Sequence, residues 1–557
     1  MNQYVKFFLF ALSFVVVGLW IGIKIQGGRK WNFSRMGERK GLISSPAQKM
    51  KKLQDVFELI DRNYVKDVDQ EALVESAIQG VMEELDPHTF YIPAVERKVI
   101  GEQMEGSFEG IGVEFDILED TVYIEAPIPG TPSDKLGIKS GDRIIKVDGE
   151  NIAGIGINNE KVIKTLKGPR GSKVVVSILR RGVSELLDFE ITRDQIPLNS
   201  IRFAYMVDDH TGYVKVDRFA ETTYKEFKMH LETLIEEGMQ NLVLDLRGNP
   251  GGYMTVAYQM ADELLENGKL IVSTKGRIPE SRQEYFATDD LALFEQGPVI
   301  VLQDYNSASA SEIVAGALQD HDRGLIIGIR SFGKGLVQIQ EDLDDGSAIR
   351  LVISEYYTPS GRCIQKPYTE GSSAYEHEIV ERFQSGEVFD ASKVEFPDSL
   401  MYATGSGRTV YGGGGIFPDI FVPNDTSQES TYLFRLRSKD IFRDFAAYYV
   451  ENHSALGLLY DEPRAFIEEF ELTQDVVKNF IDFAEEHGVP FDPEGYELSE
   501  IPVQTTLKAY IGRRLHNDAG FFPILHEMDH VFQEALRMIP TAAELERSGS
   551  MEFMANE

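Results

Sequence analysis

The chain has 557 residues, of which 42% are hydrophobic and 26% charged, so most of it can build packed cores, as roughly three or four domains. A formal net charge of -34 argues against a nucleic-acid-binding protein, because no basic stripe is available to neutralise phosphates. The single cysteine, Cys363, excludes an intramolecular disulfide, and without a nearby histidine in SGRCIQKP we interpret it as structural.

The N-terminus predicts a membrane anchor. Residues 7–23 are apolar apart from Ser13 and have basic residues on both sides. This length is the short end of a membrane-spanning helix. A cleaved signal peptide would need small residues before the cut, whereas the run ends in the bulky GLWIGIKIQ. We therefore expect an uncleaved anchor within residues 1–30, with an orientation that the flanking charges leave open.

The next two segments differ in periodicity. In residues 46–105, apolar residues recur every three or four positions, which predicts helices that end at the proline turn LDPHTFYIP. In residues 106–193, short β-rich runs are separated by glycines, and NNEKVIKTLKG predicts one short helix. This pattern is typical of a small β-rich domain.

The remaining chain predicts two further regions. In residues 194–429 strands and helices alternate, which favours an α/β domain built around a mixed sheet. Residues 430–557 are acidic and mainly helical by pattern.

Two short segments of the α/β domain carry residues suited to nucleophilic catalysis. The segment SASASE, residues 307–312, lies between the predicted strand PVIVLQD and a predicted helix, where helix N-terminal amides would face a reacting carbonyl. The segment SFGKG, residues 331–335, follows the strand GLIIGI. A serine needs an adjacent base, and a lysine can be that base if burial lowers its pKa. Taken alone, each segment also fits a helix cap or a solvated loop.

Together, SASASEIVAGALQD and SFGKGLVQ resemble the carboxy-terminal processing peptidases, a family with a Ser/Lys dyad. The resemblance extends from about Leu53 to Pro423, through LDPHTFYIP, EGIGVEF, SGDRIIKVDG, DLRGNPGG and GGGGIFPDI. It implies a serine endopeptidase that needs no cofactor and no metal. The implied roles are nucleophile for Ser309, general base for Lys334, and a lysine-orienting role for Gln338.

The motif DLRGNPGG follows the predicted strand NLVLDL. We interpret Asp245 and Arg247 as a structural ion pair. The resemblance implies that this turn supplies one oxyanion-hole amide, from Gly251 or Gly252, and that Ala310 supplies the other. Such donors stabilise the tetrahedral intermediate.

The β-rich domain resembles a PDZ module. Its carboxylate-binding loop matches Gly110, Ile111, Gly112 and Val113, and its core signature matches LGIKSGDRIIKVDG. Such modules bind a chain end as an added strand, which implies protein substrates recognised through their C-termini.

The resemblance also implies that the module controls access to the dyad. The family commonly carries a coupling arginine where this chain has Lys167, with Arg170 three residues on. Lysine lacks the bidentate fork of arginine, so the coupling is weaker here or has moved to Arg170. The alternative, that both are solvated loop residues, stays open.

Two other functions are alternatives: a non-catalytic PDZ scaffold, and a zinc peptidase. The second would use His526 and His530 of an H-E-x-x-H motif on one helical face, with Glu544 or Glu546 as third ligand. The intact Ser309 and Lys334 argue against a scaffold, and the acidic tail shows no strand-rich domain that could build a zinc cleft.

The sequence thus predicts an α/β catalytic core with a mixed sheet, an inserted β-rich PDZ-like domain, an N-terminal transmembrane helix and a mainly helical C-terminal region. The resemblance, together with the predicted anchor, implies a location in the inner (cytoplasmic) membrane, with a single span and the catalytic part facing the periplasm or cell exterior. The expected partners are protein substrates and the membrane, and no nucleic acid. A homo-oligomer or an adaptor protein is left open.

Overall fold

The computed structural model describes residues 46–288, 292–394, 398–423 and 425–549. The chain divides into two compact units, one ending at Val74 and the other running from Glu75 to Glu557. The first described helices are α1 (Pro46–Asn63) and α2 (Gln70–Glu83).

The predicted transmembrane helix and membrane location are corrected. Within the four described ranges, no helix is both long enough and apolar enough to span a bilayer. Helix α1, for example, carries charged residues in every turn of its sequence, which a bilayer interior would not accommodate. The apolar run at residues 7–23, on which the prediction rested, lies outside the described residues.

The chain enters and leaves the PDZ-like domain through a two-stranded antiparallel ribbon, in which β2 (Ser107–Gly110) pairs with β9 (Asp194–Pro197). Strand β1 (Phe90–Ile92) and helix α3 (Ala94–Glu105) precede this ribbon. The part of the chain between β2 and β9 forms a sheet in the order β3-β4-β5-β7-β8, with β6 paired to β5. Strand β3 is therefore an edge strand. Its elements are β3 (Val113–Leu118), β4 (Thr121–Pro127), α4 (Pro132–Lys135), β5 (Arg143–Val147), β6 (Glu150–Asn151), α5 (Asn159–Leu166), β7 (Lys173–Leu179) and β8 (Leu187–Thr192).

The α/β core is built on a six-stranded mixed sheet in the order β10-β11-β12-β15-β16-β21. Strand β10 is antiparallel to β11 and the other pairs are parallel. The central strands β15 and β16 are buried at every residue, as expected for parallel strands covered on both faces. These strands are β10 (Ala204–Met206), β11 (Thr211–Lys215), β12 (Asn241–Asp245), β15 (Val299–Gln303), β16 (Gly324–Gly328) and β21 (Ile420–Phe421).

Three helices pack with this sheet in one apolar core: α6 (Thr223–Glu236), α7 (Met254–Asp262) and α8 (Ala310–Asp320). A second sheet has the order β1-β18-β13-β14, with β17 also paired to β18. Its further strands are β13 (Leu270–Gly276), β14 (Gln283–Phe286), β17 (Leu336–Asp342) and β18 (Ala348–Tyr357). Helix α9 (Ser372–Ser385) and the hairpin of β19 (Met401–Ala403) and β20 (Thr409–Tyr411) complete the core.

The C-terminal region is helical, as predicted, and its first helices enclose their own aromatic-rich core. The last two helices, α18 and α19, instead cover the other face of the six-stranded sheet. The region also contacts the PDZ-like domain through ion pairs of Arg443 with Asp116 and of Arg514 with Glu125. The helices are α10 (Thr431–Ser438), α11 (Ile441–Asn452), α12 (Leu456–Leu459), α13 (Pro463–Glu469), α14 (Gln474–Glu486), α15 (Pro493–Leu498), α16 (Glu500–His516), α17 (Phe522–His526), α18 (His530–Arg537) and α19 (Ile539–Ser548).

Candidate active site

Ser309 lies in the turn between strand β15 and helix α8. Its backbone has φ 55° and ψ -110°, a conformation that non-glycine residues rarely adopt and that is characteristic of strained functional turns. The side chain is partly exposed and lines a cavity of about 960 Å³. The hydroxyl is therefore accessible to a substrate at the N-terminus of a helix.

The two neighbouring serines have structural hydrogen bonds. Ser307 and Ser311 are both 1% exposed. The hydroxyl of Ser307 donates to the carbonyl oxygen of Leu246 (2.8 Å), and that of Ser311 donates to the carbonyl oxygen of Asn249 (3.0 Å). Of the three serines in the segment, only Ser309 lines the cavity.

A buried carboxylate joins the serine turn to the lysine loop. Glu312 is fully buried and accepts backbone N–H bonds from Ser309 (2.8 Å), Gly333 (2.7 Å) and Lys334 (2.9 Å). It also accepts a hydroxyl bond from Ser331 (2.5 Å). Burial raises its pKa to about 7, and these hydrogen bonds oppose that rise. Sequence reasoning missed this role, although the S-x-x-E spacing of a capping box was visible.

The amine of Lys334 points to the side chain of Gln338. Its Nζ donates to Gln338 Oε1 at 2.9 Å, and Gln338 Nε2 donates in turn to the backbone oxygen of His88. The pKa of Lys334 is lowered to about 8, first by burial and then by the positive charge of Arg350. The arrangement therefore favours a lysine that can be neutral near physiological pH.

The residues of the segment LDPHTFYIP do not line the cavity, but one of them, His88, accepts the hydrogen bond of Gln338. Asp86 accepts two hydrogen bonds from Thr89, from its backbone N–H (2.8 Å) and from its hydroxyl (2.6 Å). His88 is also held by the hydroxyl of Tyr375, 2.7 Å from Nε2. This turn holds the carbonyl that orients Gln338, a role for His88 that sequence reasoning did not identify.

Tyr356 links the turn of Ser309 and the loop of Lys334 a second time. Its buried hydroxyl lies 3.0 Å from the backbone oxygen of Ser309 and 2.7 Å from that of Lys334. Burial raises the pKa of Tyr356 well above 10, so the hydroxyl keeps its proton and remains a donor. No local pattern distinguishes this tyrosine from its strand neighbours.

The turn of DLRGNPGG packs directly against the serine turn. The carbonyl oxygen of Asn249 accepts a hydrogen bond from the N–H of Ala308 (3.0 Å). The side-chain amide of Asn249 donates to the carbonyl oxygen of Val216 (2.8 Å). A Cβ on Gly251, which has φ +96°, would lie 2.8 Å from the Cβ of Ser309. Only glycine allows this close approach.

The structure distinguishes the amides of the two adjacent glycines. The N–H of Gly251 donates to Asn249 Oδ1 at 2.9 Å. Within the described ranges, the N–H groups of Gly252 and Ala310 donate to no acceptor. Gly252 has φ +151°, and a Cβ there would lie 2.1 Å from the carbonyl oxygen of Phe219, so this position also requires glycine.

The same cavity is lined by Ser309, Lys334, Gln338, Gly251 and Gly252, together with residues of α3 and β2. Among the described residues, the hydroxyl of Ser309 makes no hydrogen bond with the amine of Lys334, whose bond goes to Gln338. Catalytic hydrogen bonds often tighten only when substrate binds.

The predicted carboxylate-binding loop, Gly110 to Val113, joins the end of β2 to the first residue of the edge strand β3, and none of its residues lines the cavity. The carbonyl oxygen of Ile111 accepts the hydroxyl of Ser133 at 2.7 Å. Gly112 has φ +83°, and a Cβ there would lie 2.3 Å from Thr131. The loop is thus rigidly supported beside an unpaired strand edge.

The two basic residues of LKGPRGS have different partners. Lys167 Nζ lies 2.6 Å from Glu102 of helix α3 and 4.5 Å from the ring centre of Phe108. Arg170 lies 2.6 Å from Asp194 at the start of β9 and is 66% exposed. Lys167 therefore joins the PDZ-like domain to the helix that lines the cavity.

The expected ion pair of DLRGNPGG is confirmed. Arg247 lies 2.7 Å from Asp245, which is 1% exposed and also accepts a hydrogen bond from Tyr213 (2.8 Å). Arg247 has a second partner, Asp529, 2.8 Å away in the C-terminal region. The pair therefore ties the six-stranded sheet to the last helices.

The expectation that His526 and His530 share one helical face is wrong. Helix α17 ends at His526 and helix α18 begins at His530, so a break separates them. His526 is 5% exposed, and its Nδ1 lies 2.7 Å from the hydroxyl of Tyr205. Nε2 of His530 lies 3.1 Å from the carbonyl oxygen of Pro423. These histidines have packing and hydrogen-bonding roles.

Models of known families match four parts of the chain. Residues 210–371 match peptidase family S41, residues 123–180 match the PDZ domain, and residues 14–95 match the activating protease CtpB N-terminal domain. Residues 432–517 match a family of unknown function.

Curated relatives share most of their length with this chain. The carboxy-terminal-processing protease of Bartonella bacilliformis is 37% identical over 339 residues, which are 60% of this chain and 76% of the relative. The carboxy-terminal processing protease CtpA of Bacillus subtilis is 33% identical over 66% of this chain and 76% of its own. Among solved structures, the photosystem II D1 C-terminal processing protease is 24% identical over 68% of this chain and 88% of its own, with a TM-score of 0.35. The chain belongs to the family of carboxy-terminal processing peptidases and is a serine-type peptidase with a PDZ domain.

Proposed function

We propose that Ser309 is the nucleophile of this peptidase and that Lys334 is its general base. The observation that carries the proposal is the joint placement of both residues in one cavity, with their backbones held together by Glu312. Lys334 takes the hydroxyl proton of Ser309 as the oxygen attacks the scissile carbonyl, and later returns it to the leaving amine. Gln338 orients the amine through its 2.9 Å hydrogen bond.

We propose Gly252 and Ala310 as the two oxyanion-hole donors, with Gly251 in a structural role. The support is that the amides of Gly252 and Ala310 are unengaged in the described part of the chain, whereas the amide of Gly251 is bonded to Asn249. Preorganised N–H donors of this kind lower the barrier by about 3 kcal/mol each.

We also propose that the PDZ domain recognises protein C-termini. The substrate end would add as a strand to the free edge of β3, with its carboxylate at the Gly110 to Val113 loop. The Lys167–Glu102 ion pair supports a coupling of this domain to the wall of the cavity. Binding can shift the position of the domain only by its difference in affinity between the two positions.

The test is hydrolysis of an unstructured protein by three single variants. We expect Ser309→Ala to lower kcat by roughly 10⁴-fold or more, with unchanged circular dichroism. Ser307→Ala and Ser311→Ala remove structural hydrogen bonds and should keep measurable turnover. Near-wild-type turnover of Ser309→Ala would refute the nucleophile assignment. Addition of a chelator should leave the wild-type rate unchanged, and inhibition would favour a metal-dependent reaction instead.

A further inference from the structure

The catalytic cavity contains one arginine whose charge the described chain does not neutralise. Five cationic side chains line the cavity, those of Arg97, Lys98, Arg170, Lys334 and Arg350. Three of them pair with carboxylates: Arg97 with Asp342 (2.5 Å), Lys98 with Glu109 (3.6 Å) and Arg170 with Asp194 (2.6 Å). Lys334 is the proposed base. Arg350 is the remaining cation, and no described carboxylate lies within 4.0 Å of it.

Arg350 is held in place by neutral groups. Its Nη2 donates to Gln340 Oε1 at 3.2 Å, and its guanidinium carbon lies 5.4 Å from the ring centre of Phe90. The side chain is half-buried, and this burial lowers the pKa of the guanidinium. Arginine nevertheless stays charged at working pH, since its guanidinium is not deprotonated in proteins. One hydrogen bond leaves most of the five guanidinium N–H donors available for a ligand.

The strand register places Arg350 near Gln338, whose side chain accepts the hydrogen bond of Lys334. Arg350 pairs with Gln340 across β17 and β18, and Val352 pairs with Gln338. Because residues directly opposite each other share a face, and so do residues two apart, Arg350 and Gln338 lie on the same face of the sheet. They are diagonal neighbours on adjacent antiparallel strands, a relation that separates two residues by about 7–8 Å. A peptide bound at Ser309 would thus present residues near the cleaved bond to Arg350.

We propose that Arg350 binds a carboxylate of the protein substrate inside the catalytic cavity and makes cleavage selective for substrates that carry it. This inference rests on the proposed Ser309/Lys334 function and adds a substrate preference to it. A guanidinium binds a carboxylate through two parallel N–H···O bonds, which adds geometric selectivity as well as free energy. The carboxylate has two sources in a protein, an acidic side chain near the cleaved bond and the C-terminal end itself.

The experiment uses one peptide that the full-length wild type cleaves, with its cleaved bond located by mass spectrometry. In one set, each residue flanking that bond is changed in turn to glutamine or to glutamate. In the other set, the end of the peptide is a free acid or an amide. The readout is the ratio of kcat/KM between each carboxylate version and its neutral amide match, for wild type, Arg350→Gln and Arg350→Lys.

For the wild type we expect kcat/KM to be about 10- to 100-fold higher for one carboxylate peptide than for its amide match. This ratio corresponds to the free energy of a hydrogen bond to a charged group. Arg350→Gln should reduce that ratio to about 1, and Arg350→Lys should retain part of it because the charge remains without the fork. A preference that follows a glutamate position identifies a side-chain carboxylate, and one that follows the free acid identifies the C-terminus.

Two outcomes would overturn the inference. One is a wild type that cleaves every carboxylate and amide pair equally, and the other is a preference that Arg350→Gln leaves unchanged. Because the readout is a ratio within one variant, a general loss of stability or turnover does not imitate the expected result. Ser309→Ala is included throughout, so hydrolysis that does not depend on Ser309 counts against the proposed function and not against the role of Arg350.

Discussion

The pH dependence of hydrolysis follows from the surroundings of Lys334. Its pKa lies at about 8 instead of the ordinary 10.5, because burial disfavours the ammonium form and Arg350 adds a like charge. Below that pH the amine is protonated and cannot take the proton of Ser309. The neutral fraction falls tenfold per pH unit, so we expect kcat/KM at pH 6 to be about 100-fold below its plateau.

The substitution Gln338→Glu should shift the fall of kcat/KM at acidic pH, the acidic limb of the profile, to higher pH. It would place a carboxylate where an amide oxygen now accepts a 2.9 Å hydrogen bond from Nζ. An opposite charge at this range raises the pKa of a lysine by about 1 to 3 pH units. This agrees with the Coulomb energy of two unit charges 4 Å apart, which is about 4 kcal/mol at an effective dielectric constant of about 20. At pH 8, where half of the wild-type lysine is neutral, kcat/KM should therefore fall by about 5- to 500-fold and recover at higher pH.

The assay is kcat/KM for one fluorogenic peptide between pH 5 and pH 11 at constant ionic strength. The matched control is Gln283→Glu, which makes the same change of charge on the exposed strand β14, outside the lining of the cavity. It should leave the limb near pH 8. A Gln338→Glu enzyme with an unshifted limb, or a wild type with a flat profile from pH 6 to pH 9, would refute the assignment of Lys334 as base.

Three further predictions follow from the same contacts. Gly252→Ala should lower kcat by about 10²–10³-fold, because its Cβ would lie 2.1 Å from a backbone carbonyl oxygen. Gly248→Ala also meets a positive φ (+73°) but no atom within 4 Å of the added Cβ, so it should cost far less. Arg362→Met should lower the free energy of unfolding by about 3–5 kcal/mol in a urea titration, since it leaves a fully buried aspartate without its 2.7 Å ion-pair partner. Lys167→Ala should change the cleavage of long substrates more than that of a short peptide. Arg170→Ala should have little effect on either, because its ion pair is largely exposed; equal effects of both variants would contradict the coupling through Lys167.

Much of the site could be predicted because its two segments are local structures. The all-buried strand β15, the small residues after it and the helix that follows define the turn of Ser309 within a short stretch of chain. Its partners could not be predicted in the same way. His88 and Tyr356 reach the site from strands or turns far away in the sequence, and their contacts depend on packing that periodicity does not encode.

The H-E-x-x-H motif shows how a short pattern can mislead. The spacing of His526 and His530 suits one helix, but Asp529 caps the start of helix α18, accepting the N–H of Phe532 at 3.1 Å. This cap marks the start of a new helix, whereas the zinc motif requires both histidines on one continuous helix. Asp529 also pairs with Arg247, a contact across 282 residues that no local rule predicts.

The sequence by itself determined the family and the order of the elements, and it indicated the serine and lysine that we propose as the dyad, because apolar periodicity and turn chemistry act over a few residues. Only the tertiary structure decided which glycine amide is unengaged, how far the pKa of Lys334 falls, and that Arg350 has no carboxylate partner among the described residues. These properties depend on burial and on charges brought together through space. Such distances are set by the packing of remote segments and not by neighbours along the chain.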